Sequence, residues 1–173
     1  MKEHHYSVTV EWVGNQGTGT SDYRSYKRDH LIGADGKEPI PGSSDPSFRG
    51  DPARWNPEEL FVASLSACHK LWYLHLCATS GIAVLSYFDR ASGTMMEDED
   101  GAGRFTEVTL RPEVVIRAGD DGELAAELHH EAHRRCFIAN SVSIPVHCEP
   151  TITRQAGAEA GTGQSAAIAS ASA

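Results

Sequence analysis

The segment that most constrains how this chain folds is residues 56–78, NPEELFVASLSACHKLWYLHLCA. Asn56 is a favourable helix N-cap, Pro57 suits the first helical position, and the two glutamates that follow complement the helix dipole. From Leu60 to the end of the segment, Lys70 is the one charged residue. Because a helix that is apolar on nearly every side must be covered, the segment predicts a buried central helix about 33 Å long. Its serines, histidines and acidic N-terminus favour a helix of a globular protein over a membrane span.

Alternating apolar and polar residues predict strands on both sides of this helix. A second helix is predicted from Glu123 to a point between Cys136 and Asn140, because apolar residues there recur at helical spacing. The order β-β-α-β-β-α-β predicts an α+β fold, with antiparallel or mixed sheets around two central helices, rather than a doubly wound sheet. The predicted strands are residues 5–13, 23–31, 82–95, 103–118 and 146–153.

Two stretches of the chain lack a regular pattern. Glycine and proline interrupt residues 33–54, which predicts a long loop, and loops of that length in compact domains are usually functional or disordered. Residues 155–173 consist almost entirely of Ala, Gly, Ser, Thr and Gln, a composition that predicts a disordered tail. We therefore expect one folded domain over residues 1–154.

The charge and the cysteine content narrow the classes of function. A formal net charge of −9 argues against nucleic acid or an anionic membrane as a partner. The N-terminal residues pass directly into a strand pattern without a basic segment and an apolar core, so we expect a cytoplasmic protein. The four cysteines would be reduced there, and those with a function would be catalytic or metal-binding.

Two cysteines lie on the predicted helices. Cys68 is near the middle of the central helix, where the ordinary alternative to a reactive thiol is an inert thiol in the core. Cys77 is nine residues further on and faces the opposite side of the helix, so we interpret it as core packing. Cys136 follows Arg134 and Arg135, which either lower the pKa of its thiol or only complement the helix dipole.

A metal site is the competing hypothesis. His129, His133 and Cys136 follow one another at i, i+4 and i+7, a spacing that places three potential ligands on one helix face. The alternative is a solvated histidine face near the helix end. Cys148, in the last predicted strand, receives no role.

Three motifs resemble those of the OsmC/Ohr family of thiol-dependent peroxidases that reduce organic hydroperoxides. NPEELFVASLSACHKLWYLHLCA resembles the family's helix that carries the first cysteine, and AHRRCFIANSVSIPV resembles its second-cysteine helix. SFRGDPARWNPEEL resembles the arginine-bearing loop of the OsmC branch. The resemblance spans about residues 6–153 and implies an intertwined homodimer with two sites at the subunit interface.

The resemblance also implies roles for individual residues. Cys68 corresponds to the peroxidatic cysteine, which becomes a sulfenic acid, and Cys136 to the resolving cysteine, which forms a disulfide with it. Glu58 corresponds to the glutamate that holds the active-site arginine, and Arg49 best matches that arginine. The alternatives for the arginine are Arg54 and Arg24.

The family's chemistry needs no metal or bound organic cofactor, and its dithiol reductants are typically dihydrolipoyl groups on partner proteins. The apolar surroundings imply alkyl and fatty-acid hydroperoxides as substrates. This chain departs from commoner members at His69, Lys70, Trp72 and Tyr73, which lie beside the implied site and bear on substrate preference. Two other hypotheses are a non-catalytic OsmC-like dimer that binds an apolar ligand between subunits, and the metal-binding protein described above.

Overall fold

A computed structural model of the chain describes residues 2–156. The central helix, α1, is Pro57–Thr79, as the sequence predicts. The Asn56 side chain accepts the Glu59 N–H at 2.7 Å, and the Glu59 carboxylate accepts the Asn56 N–H at 3.2 Å. This reciprocal capping box fixes the start of the helix by satisfying two N–H groups that have no partner within it. The helix ends at Ser80, whose N–H reaches back to the last turn.

The described residues contain nine strands and a second α-helix. Strands β1 to β3 precede α1, strands β4 to β7 lie between the two helices, and β8 and β9 follow α2. The strands are β1 Thr9–Trp12, β2 His30–Gly33, β3 Ile40–Gly42, β4 Val84–Asp89, β5 Ser92–Glu97, β6 Gly103–Leu110, β7 Pro112–Ile116, β8 Val146–Cys148 and β9 Thr151–Arg154, and the second helix, α2, is Gly122–Arg135.

The strands form three small sheets, in the orders β1-β2-β3, β4-β7-β9 and β5-β6-β8. The N-terminal sheet is antiparallel throughout. The other two are mixed, because β4–β7 and β5–β6 pair antiparallel whereas β7–β9 and β6–β8 pair parallel. Mixed sheets packed with two helices confirm the α+β class.

The three long strands predicted on the C-terminal side are each divided in two, so their predicted extents are wrong. Residues 82–95 form β4 and most of β5, and residues 103–118 form β6 and β7. At the break between β6 and β7 the Arg111 N–H donates to the Asp89 carboxylate at 2.7 Å instead of to a neighbouring strand, and Pro112 has no N–H to donate. Pro150 has the same effect between β8 and β9. Each of the three predicted strands therefore contributes to two sheets.

The N-terminal region also differs from its prediction. The second strand is β2, His30–Gly33, rather than residues 23–31. Before it, the Arg28 guanidinium donates to the carbonyls of Tyr26 and Tyr23 at 2.7 and 2.8 Å, which holds the chain in turns. The predicted loop at 33–54 contains β3 and a 3₁₀ turn, Pro46–Phe48.

The main core lies where α1 and α2 pack on the β4-β7-β9 sheet. Tyr73 and Cys77 of α1 are fully buried there, which confirms Cys77 as a core residue. A second, smaller core forms around Leu65, Val108 and Leu110. The two cores leave one face of α1 without cover.

In a single chain, α1 is therefore less buried than its composition predicts. Ala63, Ala67 and Leu71 lie at successive i, i+4 positions and are all exposed, with Leu71 at 64%. All four residues of β1 are exposed as well, including Val10 at 66% and Trp12 at 42%. The apolar stripe on α1 and the apolar side chains of β1 are therefore both exposed to solvent.

The predicted C-terminal tail and the prediction that the central helix does not span a membrane are the two remaining points. The predicted tail, residues 155–173, lies outside the described residues except for its first two. Neither α-helix within residues 2–156 combines the length and apolarity needed to cross a membrane.

Candidate functional site

The packing of α1 against α2 brings Cys68 and Cys136 together, and these two residues are termed the thiol pair below. Cys68 lies in the middle of α1 and is partly exposed, whereas Cys136 is the C-cap of α2 and is 1% exposed. The two thiols are near enough for Cys68 to raise the pKa of Cys136, and both are free. The pair therefore consists of one thiol that solvent reaches and one behind it that solvent does not.

Burial is the main influence on the second thiol. It raises the pKa of Cys136 to about 11, and contact with Cys68 acts in the same direction. The Ala139 N–H lies 3.5 Å from the sulfur and opposes this increase. Arg134 and Arg135 do not act on the thiol, because both pair with Glu131 on their own helix. Of the two alternatives for these arginines, a lowered pKa of Cys136 is therefore wrong.

Aromatic side chains border the thiol pair. Trp72 lies one helical turn beyond Cys68, and Phe137 follows Cys136 directly. Their rings meet edge to face with centroids 5.7 Å apart, and the Arg135 guanidinium lies 5.7 Å from the Trp72 ring. Phe137 is 69% exposed, so the border of the pair is an apolar surface.

Glu58 lies in the first turn of α1, away from the thiol pair. Ten residues separate it from Cys68, which corresponds to about 15 Å of helix rise. Within residues 2–156, Glu58 forms no ion pair with an arginine. This distance is too long for one guanidinium to contact both the Glu58 carboxylate and the Cys68 thiol of the same chain.

The three candidate arginines are placed as follows. The Arg54 guanidinium lies 3.6 Å from the Asp29 carboxylate and 3.7 Å from the Asp51 carboxylate. Arg49 is exposed, has a left-handed backbone with φ 66°, and lies 5.9 Å from the Tyr23 ring. Arg24 is exposed. In one chain, none of them meets Glu58 or Cys68.

A groove of about 700 Å³ runs beside the first half of α1, between the helix and strands β4 to β6. Its lining is mainly apolar, with Glu58 at one side and Ser66 donating a hydrogen bond to Asp89 at the other. The apolar side chains that line it include Trp55, Val62, Phe88 and Phe105. The groove therefore presents a mainly apolar surface.

The predicted metal trio is not assembled. His129, His133 and Cys136 do not bring their ligand atoms together, because His129 points from α2 towards α1 instead. In the described part of the chain, one group of three such side chains has all its ligand atoms within 4.8 Å, namely His69, His129 and Cys148. We term it the histidine–cysteine cluster. The sequence does not indicate this cluster, because its members lie on three separate elements.

Comparisons with known proteins agree with this fold. A family model described as OsmC-like protein matches residues 50–150. An OsmC-like protein of unknown function from Vibrio cholerae has a similar structure, with 36% identity, a TM-score of 0.77, and coverage of 87% of this chain and 100% of that one. A search of curated protein sequences finds no significant match.

Two further similar structures belong to proteins with a described function. An organic hydroperoxide resistance protein from Elizabethkingia anophelis matches with 20% identity and a TM-score of 0.61, over 89% of this chain and 100% of that one. The organic hydroperoxide resistance protein OhrB of Bacillus subtilis matches with 24% identity and a TM-score of 0.57, over 84% and 98%. At these identities the likeness concerns the fold.

Proposed function

The chain belongs to the OsmC-like family, and on that premise we propose that it is a thiol-dependent peroxidase that reduces organic hydroperoxides to alcohols. The observation that carries the proposal is the thiol pair: a partly exposed Cys68 in contact with a buried Cys136. Relatives of the same fold are described as organic hydroperoxide resistance proteins, which supports the choice of substrate.

The difference in exposure favours an order in which the two thiols react. Cys136 is 1% exposed and cannot meet a substrate first, whereas solvent reaches Cys68. The Cys68 thiolate attacks the outer oxygen of the peroxide, the O–O bond breaks, and the alkoxide leaves as an alcohol after taking up a proton. Cys68 is left as a sulfenic acid.

Cys136 then completes the reaction. Its raised pKa, about 11, keeps it a neutral thiol at pH 7 until the sulfenic acid forms beside it. Its sulfur attacks the Cys68 sulfur, water leaves, and a disulfide joins the two helices. A dithiol such as a dihydrolipoyl group reduces that disulfide and restores both thiols. The net reaction converts the hydroperoxide and two reducing equivalents into an alcohol and water.

Glu58 enters the proposal through a second copy of the chain. The rise of about 15 Å between Glu58 and Cys68 on one helix favours a site that takes the two residues from different subunits. Two copies of α1 packed in opposite directions would bring the first turn of one copy beside the middle of the other. The exposed stripe of Ala63, Ala67 and Leu71 supports such a homodimer, because small residues allow two helices to approach closely.

In that dimer, Glu58 would hold an arginine by paired hydrogen bonds, and the guanidinium would stabilise the Cys68 thiolate and the leaving oxygen. We propose Arg49 for this role. Its guanidinium is exposed and has no carboxylate partner within residues 2–156, whereas Arg54 already pairs with Asp29 and Asp51. Arg24 remains the third choice.

The substrate and the compartment follow from the same features. The aromatic border of the thiol pair favours alkyl and fatty-acid hydroperoxides over hydrogen peroxide. The cycle starts from reduced thiols, so we place the protein in the cytoplasm.

A titration of thiols tests the proposal directly. Free thiols are counted in the reduced protein before and after one equivalent of cumene hydroperoxide. We expect a loss of two thiols per chain in the wild type and in Cys77→Ala, and no disulfide in Cys68→Ser. If the wild-type protein keeps every thiol, the proposal is wrong.

The groove also favours a second candidate function, a non-catalytic dimer that binds an apolar ligand. The two functions separate in Cys68→Ser. Binding of a fatty acid that persists in this variant, together with unreacted thiols in the wild-type protein, would select the binding function.

A further inference from the structure

The two histidines of the histidine–cysteine cluster lie in the core and Cys148 is partly exposed, on three elements that the proposed reaction does not use together. His69 of α1 is 1% exposed and His129 of α2 is 2% exposed. The Nε2 atom of His69 lies 2.9 Å from Nδ1 of His129. The Cys148 sulfur, at the end of β8, lies 3.6 Å from the first nitrogen and 3.9 Å from the second. Two nitrogens and one sulfur thus form a triangle.

The sides of this triangle are close to those of a tetrahedral metal site. Bonds of about 2.0–2.1 Å to nitrogen and about 2.3 Å to sulfur, at tetrahedral angles, separate the ligand atoms by about 3.3 Å (N–N) and about 3.6 Å (N–S). The observed 2.9, 3.6 and 3.9 Å differ from these values by a few tenths of an ångström. The three ligand atoms are therefore already near the separations that one ion requires.

No other polar partner competes for these side chains. The outer nitrogens, Nδ1 of His69 and Nε2 of His129, are buried and have no hydrogen-bond partner within the described residues. The Tyr73 ring stacks on His129 with centroids 3.7 Å apart and fixes the plane of the imidazole. The polar contacts of both rings thus lie inside the cluster.

The protonation states of the three side chains also fit a metal site. Burial lowers the pKa of His69 to about 4 and that of His129 to about 3, so both rings are neutral at pH 7 and offer lone pairs. Burial raises the pKa of Cys148 to about 12, so its thiol would lose its proton only to a bound cation. Asp89 is close enough to act on both His69 and Cys148, and it adds negative charge beside the cluster.

We propose that His69, His129 and Cys148 form a binding site for a transition-metal cation of the Zn²⁺ class. Two imidazoles and one thiolate are the ligand set that Zn²⁺ and Co²⁺ share, and hard cations such as Mg²⁺ and Ca²⁺ avoid it. The site uses neither Cys68 nor Cys136 and so stands apart from the proposed peroxidase reaction.

Metal binding would rearrange the cluster in a defined way. The two rings are nearly coplanar, with 5° between their planes, which is the geometry of a direct N–H···N hydrogen bond. To point both lone pairs at one cation, each ring would turn by about 35°. The proton between the rings would move to an outer nitrogen, and the Cys148 proton would leave to solvent. One proton is released for each cation bound.

Titration of the full-length, reduced, chelator-treated protein with Co²⁺ and Zn²⁺ tests the site. We expect one cation per chain, the intense visible bands of tetrahedral Co²⁺, a sulfur-to-cobalt charge-transfer band in the near ultraviolet, and displacement of Co²⁺ by Zn²⁺. Calorimetry in buffers of different ionisation heat should show release of one proton per Zn²⁺ at pH 7.

Variants assign the ligands. We expect Cys148→Ser and His129→Gln to weaken Zn²⁺ binding by at least about 100-fold, and Cys148→Ser to remove the charge-transfer band. His130→Gln is the matched control on the exposed side of α2 and should bind like the wild type. Cys68→Ser and Cys136→Ser should keep the site, which separates it from the thiol pair.

Several results would overturn the proposal. They are no uptake of either cation, Co²⁺ bands that survive Cys148→Ser, and loss of the bands in Cys68→Ser or Cys136→Ser, which would assign the metal to the thiol pair. If His129→Gln fails to fold, X-ray absorption of the Zn²⁺-loaded wild type decides. One sulfur and two imidazoles at zinc are required, and two sulfurs contradict the assignment.

Discussion

The thiol pair and the histidine–cysteine cluster begin at consecutive residues of one helix and differ in almost every property that decides chemistry. Cys68 is partly exposed and meets a second sulfur, whereas His69 is 1% exposed and meets a nitrogen and a sulfur. About 100° of helix rotation separates the two side chains. That rotation is enough to direct one towards a surface that a substrate reaches and the other into a closed core.

The two sites also differ in completeness. The cluster draws its three members from a single chain, on α1, α2 and β8. The thiol pair lacks a cation in a single chain, because Glu58 and the candidate arginines lie apart from it and from each other. The histidine–cysteine cluster is complete once a single chain has folded, whereas the redox site that we propose needs a second copy of the chain. Substitutions in the thiol pair and in the histidine–cysteine cluster should therefore have separate effects.

The largest effect is expected from Cys68→Ser. We expect the rate of cumene hydroperoxide reduction with a dithiol to fall by about 1000-fold, because a serine hydroxyl is a far weaker nucleophile than a thiolate. Co²⁺ binding should be unchanged. Cys77→Ala is the matched control on the same helix and should keep the rate. Peroxidase activity that survives in Cys68→Ser would remove the thiol pair from the reaction.

Cys136→Ser should have the next largest effect. The first turnover should proceed, since Cys68 remains, but the steady-state rate should fall by roughly 100-fold because no internal thiol closes the disulfide. A sulfenic acid should accumulate at Cys68 and be detected by a dimedone-type reagent with mass spectrometry. If the variant turns over at the wild-type rate without accumulating sulfenic acid, Cys136 is not the resolving residue.

Glu58→Gln tests whether the redox site is completed by a group outside the pair. We expect a fall of about 10-fold in kcat/KM, about 1.4 kcal/mol, because an amide cannot hold a guanidinium as a carboxylate does. The adjacent Glu59→Gln is the control. It should weaken the capping box by about 0.5–1 kcal/mol in unfolding experiments and keep the rate. Equal rates in the two variants would contradict a role for Glu58.

The last prediction concerns the stability of the metal-free protein as a function of pH. The pKa values of His69 and His129, lowered to about 4 and about 3, mean that the unfolded chain binds protons first as the pH falls. The free energy of unfolding should therefore be constant between about pH 6.5 and pH 8 and decrease below pH 6.5, by up to about 1.4 kcal/mol per pH unit for each histidine. The charged or titratable groups that act on the two rings are His130, His133 and Asp89.

Urea unfolding at several pH values measures this slope. His129→Gln should flatten it between pH 6.5 and pH 4, and His130→Gln should not. The same slope in both variants would mean that the buried pair does not govern the acid sensitivity.

The sequence was most informative where structure is set by near neighbours. The first helix was predictable to within a residue, because its N-cap, its proline and its apolar run all lie within one continuous segment. The thiol pair was recognisable from two motifs. The strand breaks at Arg111 and Pro150 were not predicted, because alternation of apolar residues continues across them, and the Asp89 carboxylate that receives the Arg111 N–H comes from another strand.

What the sequence alone determined is thus the central helix, the α+β class and the pair of cysteines. Only the tertiary structure decided that His129 faces His69 rather than His133, and that Cys148, given no role from the sequence, joins them. These partners are 60 and 79 residues apart from His69 along the chain. Spacing within a helix reports which residues share a face, but the packing of helix on helix and strand decides what that face meets.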